Sequence, residues 1–235
     1  MASKDSSQTN ATKAVLKAWE AQHGSPSVAK VVKICAQNPP LTRLDDKILN
    51  AVLTNCVQLS FSTNAIDKMP LLKLPSLRIL ALGRNRIKKL DVRGLENTLQ
   101  QLWLSYNEID KLDGIENMRN LRVLYISNNK ISKWSELDKL SKLENLEELL
   151  LFNNPIYGDC PDMATARVEV LKRVPQISKL DNRVRLFQFS NCGAYRICGD
   201  SSCFFLSRLL LLLQLVTPLE RENAAKPKST DSNEK

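Results

Sequence analysis

Histidine is nearly absent: the 235 residues contain one, His23. A single imidazole cannot build the His clusters that hold zinc, and no nucleophile with a matched base is evident elsewhere in the chain. Glycine is scarce at 7 residues, and neither a GxxxxGK[ST] loop nor a GxGxxG fingerprint occurs to cradle phosphates. The 6 cysteines form no disulfide framework. Cys35, Cys56 and Cys160 stand alone, while Cys192, Cys198 and Cys203 are separated by five and four residues and lack a paired-ligand zinc pattern. The carboxylates Glu144, Glu147 and Glu148 fall at a repeat junction, where solvation accounts for them. The expectation is a protein that is not an enzyme, with no catalytic, cofactor-binding or metal-binding residues.

Long hydrophobic runs are missing too. The most apolar stretch, residues 204–216, is interrupted by Ser207, Arg208 and Gln214. It falls short of the roughly 20 residues that span a bilayer. Residues 1–10 are polar and carry no apolar core of a secretory signal, so cytoplasmic residence without a membrane partner is expected. Lys+Arg 34 against Asp+Glu 25 gives a formal charge of +9, but that charge is spread among repeats rather than gathered into an arm. It predicts no direct nucleic-acid partner.

What is present is a ladder of asparagines: Asn64, Asn85, Asn107, Asn129 and Asn154, at intervals of 21, 22, 22 and 25 residues. Before each rung stand three apolar residues at fixed offsets: Cys56, Leu59 and Phe61; Leu77, Leu80 and Leu82; Leu99, Leu102 and Leu104; Leu121, Leu124 and Ile126; Leu146, Leu149 and Leu151. Two places after each rung comes Ile66, Ile87, Ile109, Ile131 or Ile156. One such segment arises by chance; a phased series hardly does. The period is that of leucine-rich repeats.

Each Leu-x-Leu step puts two side chains on one face of a short strand and the residue between them on the other. Stacking these strands gives an α/β leucine-rich repeat solenoid with parallel strands on a concave face, short convex helices and helical end caps. The Asn side chains are assigned a structural role, satisfying backbone groups that the turns leave buried. Residues 91–95 and 113–118 are short enough for irregular or single-turn returns, whereas 135–143, with Ser135 as cap, predicts a helix. Upstream, residues 9–23 read as a helix with Ala14, Val15, Ala18 and Trp19 along one face, stopped by Gly24. Residues 27–37 read as a second helix carrying Val28, Val31, Val32 and Cys35, and Leu41, Leu44 and Ile48 as a degenerate first repeat. Downstream, a helix is predicted over 162–174, leading into a closing segment at 175–181.

The resulting division is a flexible N-terminus at 1–8, an N-terminal helical cap at 9–40, repeats at 41–160 and a C-terminal cap at 161–182. An atypical apolar, cysteine-containing segment follows at 183–216, and a disordered polar tail at 217–235.

The residues between inward leucines define the candidate binding face. In one column they are Ser60, Ala81, Trp103, Tyr125 and Leu150; in the next, Ser62, Gly83, Ser105, Ser127 and Phe152. Trp103, Tyr125, Leu150 and Phe152 thus form an apolar and aromatic patch that the core does not need, of the kind that anchors protein interfaces. Arg84 and Tyr106, each just before a rung, add polar contacts beside it. A second group, Arg84, Arg86, Lys88 and Lys89, forms a basic edge opposite in sign to Glu108 and Asp110.

The repeat signatures CVQLSFSTNAI, LRILALGRNRI, LQQLWLSYNEI, LRVLYISNNKI and LEELLLFNNPI, with KAVLKAWEAQHG upstream and RVPQISKLD at the close, resemble the light chain 1 family of axonemal outer-arm dynein. The likeness runs over about residues 9–181. It implies a noncatalytic subunit of the outer dynein arm, located in the cytoskeleton of the cilium or flagellum axoneme. The implied partner is an outer-arm dynein heavy chain, bound in its motor region near the microtubule-binding stalk tip. The implied role is to tune ciliary or flagellar motility, with tubulin contact as a further expectation. On this sequence the resemblance implies Trp103, Tyr125, Leu150 and Phe152 as heavy-chain contacts. The same repeat grammar also serves an adaptor of protein phosphatase 1 and a protein of a splicing particle, which are the alternatives. After Asp181 the likeness ends, and residues 183–215 read as an insertion.

Overall fold

Leucines repeating in phase every twenty-odd residues need a shared interior, and stacking the repeats supplies it. The computed structural model describes residues 2–184, and side chains over 10–183. Eight short strands form one sheet in chain order: β1 (Val31–Lys33), β2 (Gln58–Ser60), β3 (Ile79–Ala81), β4 (Gln101–Trp103), β5 (Val123–Tyr125), β6 (Glu148–Leu150), β7 (Lys179–Leu180) and β8 (Arg183–Val184). Pairing is parallel from β1 through β7, and β8 turns back antiparallel on β7. The register aligns Val32, Leu59, Leu80, Leu102, Leu124, Leu149 and Leu180 in one inward column, each at most 1% exposed. Each such side chain contributes about 1.5–3 kcal/mol by leaving water.

The rungs sew consecutive repeats together. Asn107 Oδ1 accepts from the Ile87 amide at 3.0 Å, while Nδ2 donates to the carbonyls of Leu82 and Leu104, both at 3.0 Å. Asn85, Asn129 and Asn154 repeat this arrangement, and Asn64 repeats it with Leu41, Ile34 and Phe61. The residue before each rung is left-handed: Thr63, Arg84, Tyr106, Asn128 and Asn153 have φ between 54° and 61°. Only local hydrogen bonding makes that conformation affordable for a non-glycine residue.

The returning chain is irregular at 91–95 and makes a single 3-10 turn at Ile115–Asn117. The return from β5 to β6 carries α3 (Trp134–Asp138) and a 3-10 turn at Lys139–Lys142. This helix starts earlier than predicted: Lys133 is its cap and Ser135 lies inside it.

Three upstream expectations are corrected. The first helix, α1 (Ala2–His23), begins inside the segment read as a flexible terminus. Its core-facing side is Thr12, Val15, Leu16 and Trp19, with Ala14 and Ala18 exposed. The segment 27–37 is not a helix; it contains β1, so the repeats start before residue 41 and the helical cap at 9–40 is shorter than expected. Val32 and Ile34 point inward there, Ala36 takes the left-handed position (φ 50°), and Gln37 stands where later repeats have Asn. Leu41, Leu44 and Leu49 line the return of that first repeat, which includes α2 (Asp46–Val52), capped by Asp45.

The downstream lid forms as α4 (Met163–Arg173), with Asp162 accepting from the Thr165 amide at 2.7 Å. It docks through Arg173, whose guanidinium lies 4.7 Å from the centre of the Trp134 ring. Below it, Asp181 accepts from the amides of Leu151 (2.8 Å) and Phe152 (3.0 Å) and from the Tyr157 hydroxyl (2.6 Å), with Arg167 4.0 Å away. Burial and the Asp181 charge push the Tyr157 phenol far above its ordinary range, so it stays a donor. The C-terminal cap runs past 182, because β8 extends the sheet to Val184. The rest of the atypical segment and the polar tail lie outside the described residues. Among the described residues, no helix is long and apolar enough to cross a membrane.

Candidate partner-binding face

Register fixes the outward face of the sheet as firmly as the inward one. Ser60, Ala81, Trp103, Tyr125 and Leu150 are Cα partners in succession across β2 to β6. The sheet thereby brings Trp103, Tyr125 and Leu150 side by side, with Phe152 on the same face just beyond β6. All four are half-buried. The Trp103 and Tyr125 rings stack with centroids 5.8 Å apart and planes at 21°. The Trp103 Nε1–H has no acceptor among the described residues.

Around Trp103 and Tyr125, polar groups on this face are neutral or internally paired. The Tyr125 hydroxyl donates to Glu148 Oε1 at 2.6 Å, and Lys179 Nζ donates to the same oxygen at 2.9 Å. Burial, then the hydrogen bond and charge of Glu148, push the Tyr125 phenol up to about 12, so it remains protonated near neutrality. Gln58, Gln101, Ser105 and Ser127 carry no charge. The center of the sheet thus offers flat apolar area with little electrostatic field.

Arg84 and Tyr106 lie at the turns beyond the strands. They occupy the left-handed positions at the turn, where the Arg84 guanidinium lies 4.7 Å from the Tyr106 ring centroid and both residues are exposed. Along the same edge, Glu108 receives Lys130 at 3.1 Å and Lys88 at 3.9 Å. The Lys130 hydrogen bond leads in holding the Glu108 carboxyl below its usual range. The basic edge is therefore partly neutralised, though Arg86 and Lys89 make no ion pair among the described residues.

Sequence reasoning missed two contributors. Glu148, grouped by sequence with Glu144 and Glu147 as solvated, braces Tyr125, and Glu147 pairs with Arg122 at 2.6 Å. The outward residues Val31 and Lys33 of β1, with Cys35 just beyond it, are hidden by the helical reading. The alternation Val32-x-Ile34, followed three residues later by Gln37, carries the phase of the other repeats and was the available signal.

A family model described as Leucine Rich repeats (2 copies) matches residues 97–139. A Dynein axonemal light chain 1 of Chlamydomonas reinhardtii is 47% identical over 158 residues, covering 65% of this chain and 79% of that protein. The proteins of that name from Homo sapiens and Danio rerio are 44% and 42% identical over 174 residues, covering 72% of this chain and 90% and 88% of theirs. These names indicate no enzymatic family, phosphatase adaptor or splicing protein. The chain belongs to the axonemal dynein light chain 1 family, leucine-rich-repeat proteins of the cytoskeleton of cilia and flagella.

Proposed function

We propose that this chain is a noncatalytic light chain that binds an outer-arm dynein heavy chain in its motor region, near the microtubule-binding stalk tip, and modulates ciliary or flagellar motility. The observation carrying this reading is the aromatic patch of Trp103, Tyr125, Leu150 and Phe152, held in register on a face that packing among the described residues leaves partly exposed. Stacked aromatics pre-organised on a rigid sheet lose little entropy on binding, which suits them as interface anchors. The basic edge from Arg84 to Lys89 supports a weaker, salt-sensitive contact with acidic tubulin.

Affinity capture of the full chain from axonemes, followed by identification of the retained proteins, tests the reading. Recovery of an outer-arm heavy chain is expected. Its consistent absence, with the fold intact, overturns the proposal.

A further inference from the structure

At the first strand, the sheet carries a feature unlike the aromatic patch. Between α1 and β1 lies a cleft of about 260 Å³. Its apolar wall includes Val15, Trp19 and Ile34, and its polar rim includes His23, Lys33 and Gln37. The Trp19 indole is held flat by stacking on His23, with centroids 4.7 Å apart and planes at 14°, while His23 Nδ1 lies 3.1 Å from the Trp19 carbonyl oxygen. Among the described residues, no carboxylate lines the cleft. Lys33 is exposed, points to the outward face of the sheet and makes no ion pair among the described residues. Beside it on that face, Val31 is 46% exposed, an apolar surface left uncovered next to an uncompensated cation.

Elsewhere on the sheet the pattern is reversed. Lys179 is consumed by Glu148, and Arg122 by Glu147. A lone cation beside a rigid indole in a concavity without acids is complementary to one chemistry: a carboxylate flanked by an apolar side chain. The cleft also continues the face already described, since β1 lies three strands from β4, roughly 14 Å at the usual strand spacing. The strands between present only Ser60, Ser62, Ala81 and Gly83 in those columns, small side chains that leave room for a bound segment.

We infer that this cleft is a second docking point for the same partner, taking an acidic side chain and its apolar neighbour from the heavy chain, with Lys33 as the charge contact and Trp19 as the platform. The inference rests on the heavy-chain reading above. It assigns two regions of the sheet different physics: an apolar anchor at the central strands around Trp103 and an electrostatic one at the first strand, Lys33. Contacts to exposed charges weaken with salt, whereas apolar burial does not.

The test measures the affinity of the full chain for purified outer-arm heavy chain at about 50 mM and about 500 mM salt, where screening lengths differ several-fold. Lys33→Gln is expected to weaken binding roughly fivefold at low salt and much less at high salt, with Lys33→Arg retaining most of the affinity. Trp103→Ala is expected to weaken binding at both. If wild type binds and Lys33→Gln matches it at low salt, the cleft inference fails and the heavy-chain reading stands. If wild type does not bind, both fail. A free chain that sediments as a dimer and becomes monomeric on Lys33→Gln, with heavy-chain affinity unchanged, assigns the cleft to a second copy and also overturns the inference.

Discussion

The two faces of the same sheet are built from alternate residues of the same strands, yet they obey different rules. Inward, Leu59, Leu80, Leu102, Leu124 and Leu149 are one residue type at one depth, each 0% exposed. Outward, in the same register, Ser60, Ala81, Trp103, Tyr125 and Leu150 share nothing but position. Stacking requires every repeat to match its neighbours inside and imposes no such demand outside. Variation on the outer face is therefore where the proposed function places partner selection. Mutations should separate accordingly: changes to buried or rung groups lower stability, and changes to the outward patch lower affinity.

The largest loss is expected at the closing network. Asp181→Ala removes the carboxylate that answers Arg167, whose buried guanidinium is already held below its usual range by desolvation. It also strips acceptors from Tyr157 and from two backbone amides. Leaving a buried charge unpaired costs about 3–5 kcal/mol, and urea unfolding should show it. A midpoint within error of wild type would mean that water replaces the carboxylate at this end.

Next comes Asn107→Ala, in the middle of the ladder. It strands the Ile87 amide in a buried turn and takes one of two side-chain donors from the carbonyls of Leu82 and Leu104, which keep Asn85 and Asn129, with an expected loss of about 1–3 kcal/mol. The inward-outward contrast predicts that partner affinity of the remaining folded protein is unchanged. Equal thermal midpoints for mutant and wild type would remove the rung from the structural class.

Trp103→Ala should do the opposite. Its side chain is half-buried on the outer face and stacked on Tyr125, so affinity for the heavy chain should fall by more than about 1 kcal/mol while the thermal midpoint barely moves. If midpoint and affinity fell together, the aromatic patch would belong with the core rather than with the partner.

How much of this contrast the sequence discloses depends on whether phase alone decides a side chain's place. The inward leucines, the rungs and the column running Trp103, Tyr125, Leu150 are legible because each repeats at a fixed offset from Asn. The segment 27–37 is not, because Val28, Val31, Val32 and Cys35 mimic helical spacing. The phase Val32-x-Ile34 ends on Gln37 rather than on the Asn that marks the other repeats, and pairing with β2 settles the matter. The inward side of α1 was misjudged for a related reason: Thr12 is buried because its hydroxyl accepts from the Asp45 amide at 3.0 Å, a partner 33 residues away. Glu148 escaped notice likewise, since its contacts with Tyr125 and Lys179 join three different repeats.

The smallest expected effect lies on the border between the two classes. Tyr125→Phe keeps the ring that stacks on Trp103 and removes the hydroxyl that binds Glu148 at 2.6 Å, while Lys179 still pairs with that carboxylate. A loss of about 0.5–1.5 kcal/mol is the scale for such a bond, and partial exposure places this one at the low end. Its pH dependence identifies it. The phenol is pushed up to about 12 in the folded chain, whereas an unfolded tyrosine ionises near pH 10. Between those values the folded state holds the proton that the unfolded state has lost, so this group's contribution is complete below about pH 10 and declines as pH rises towards 12. Stability measured across that window should fall less steeply in Tyr125→Phe than in wild type. Parallel profiles would show that Glu148 braces the aromatic patch through Lys179 alone.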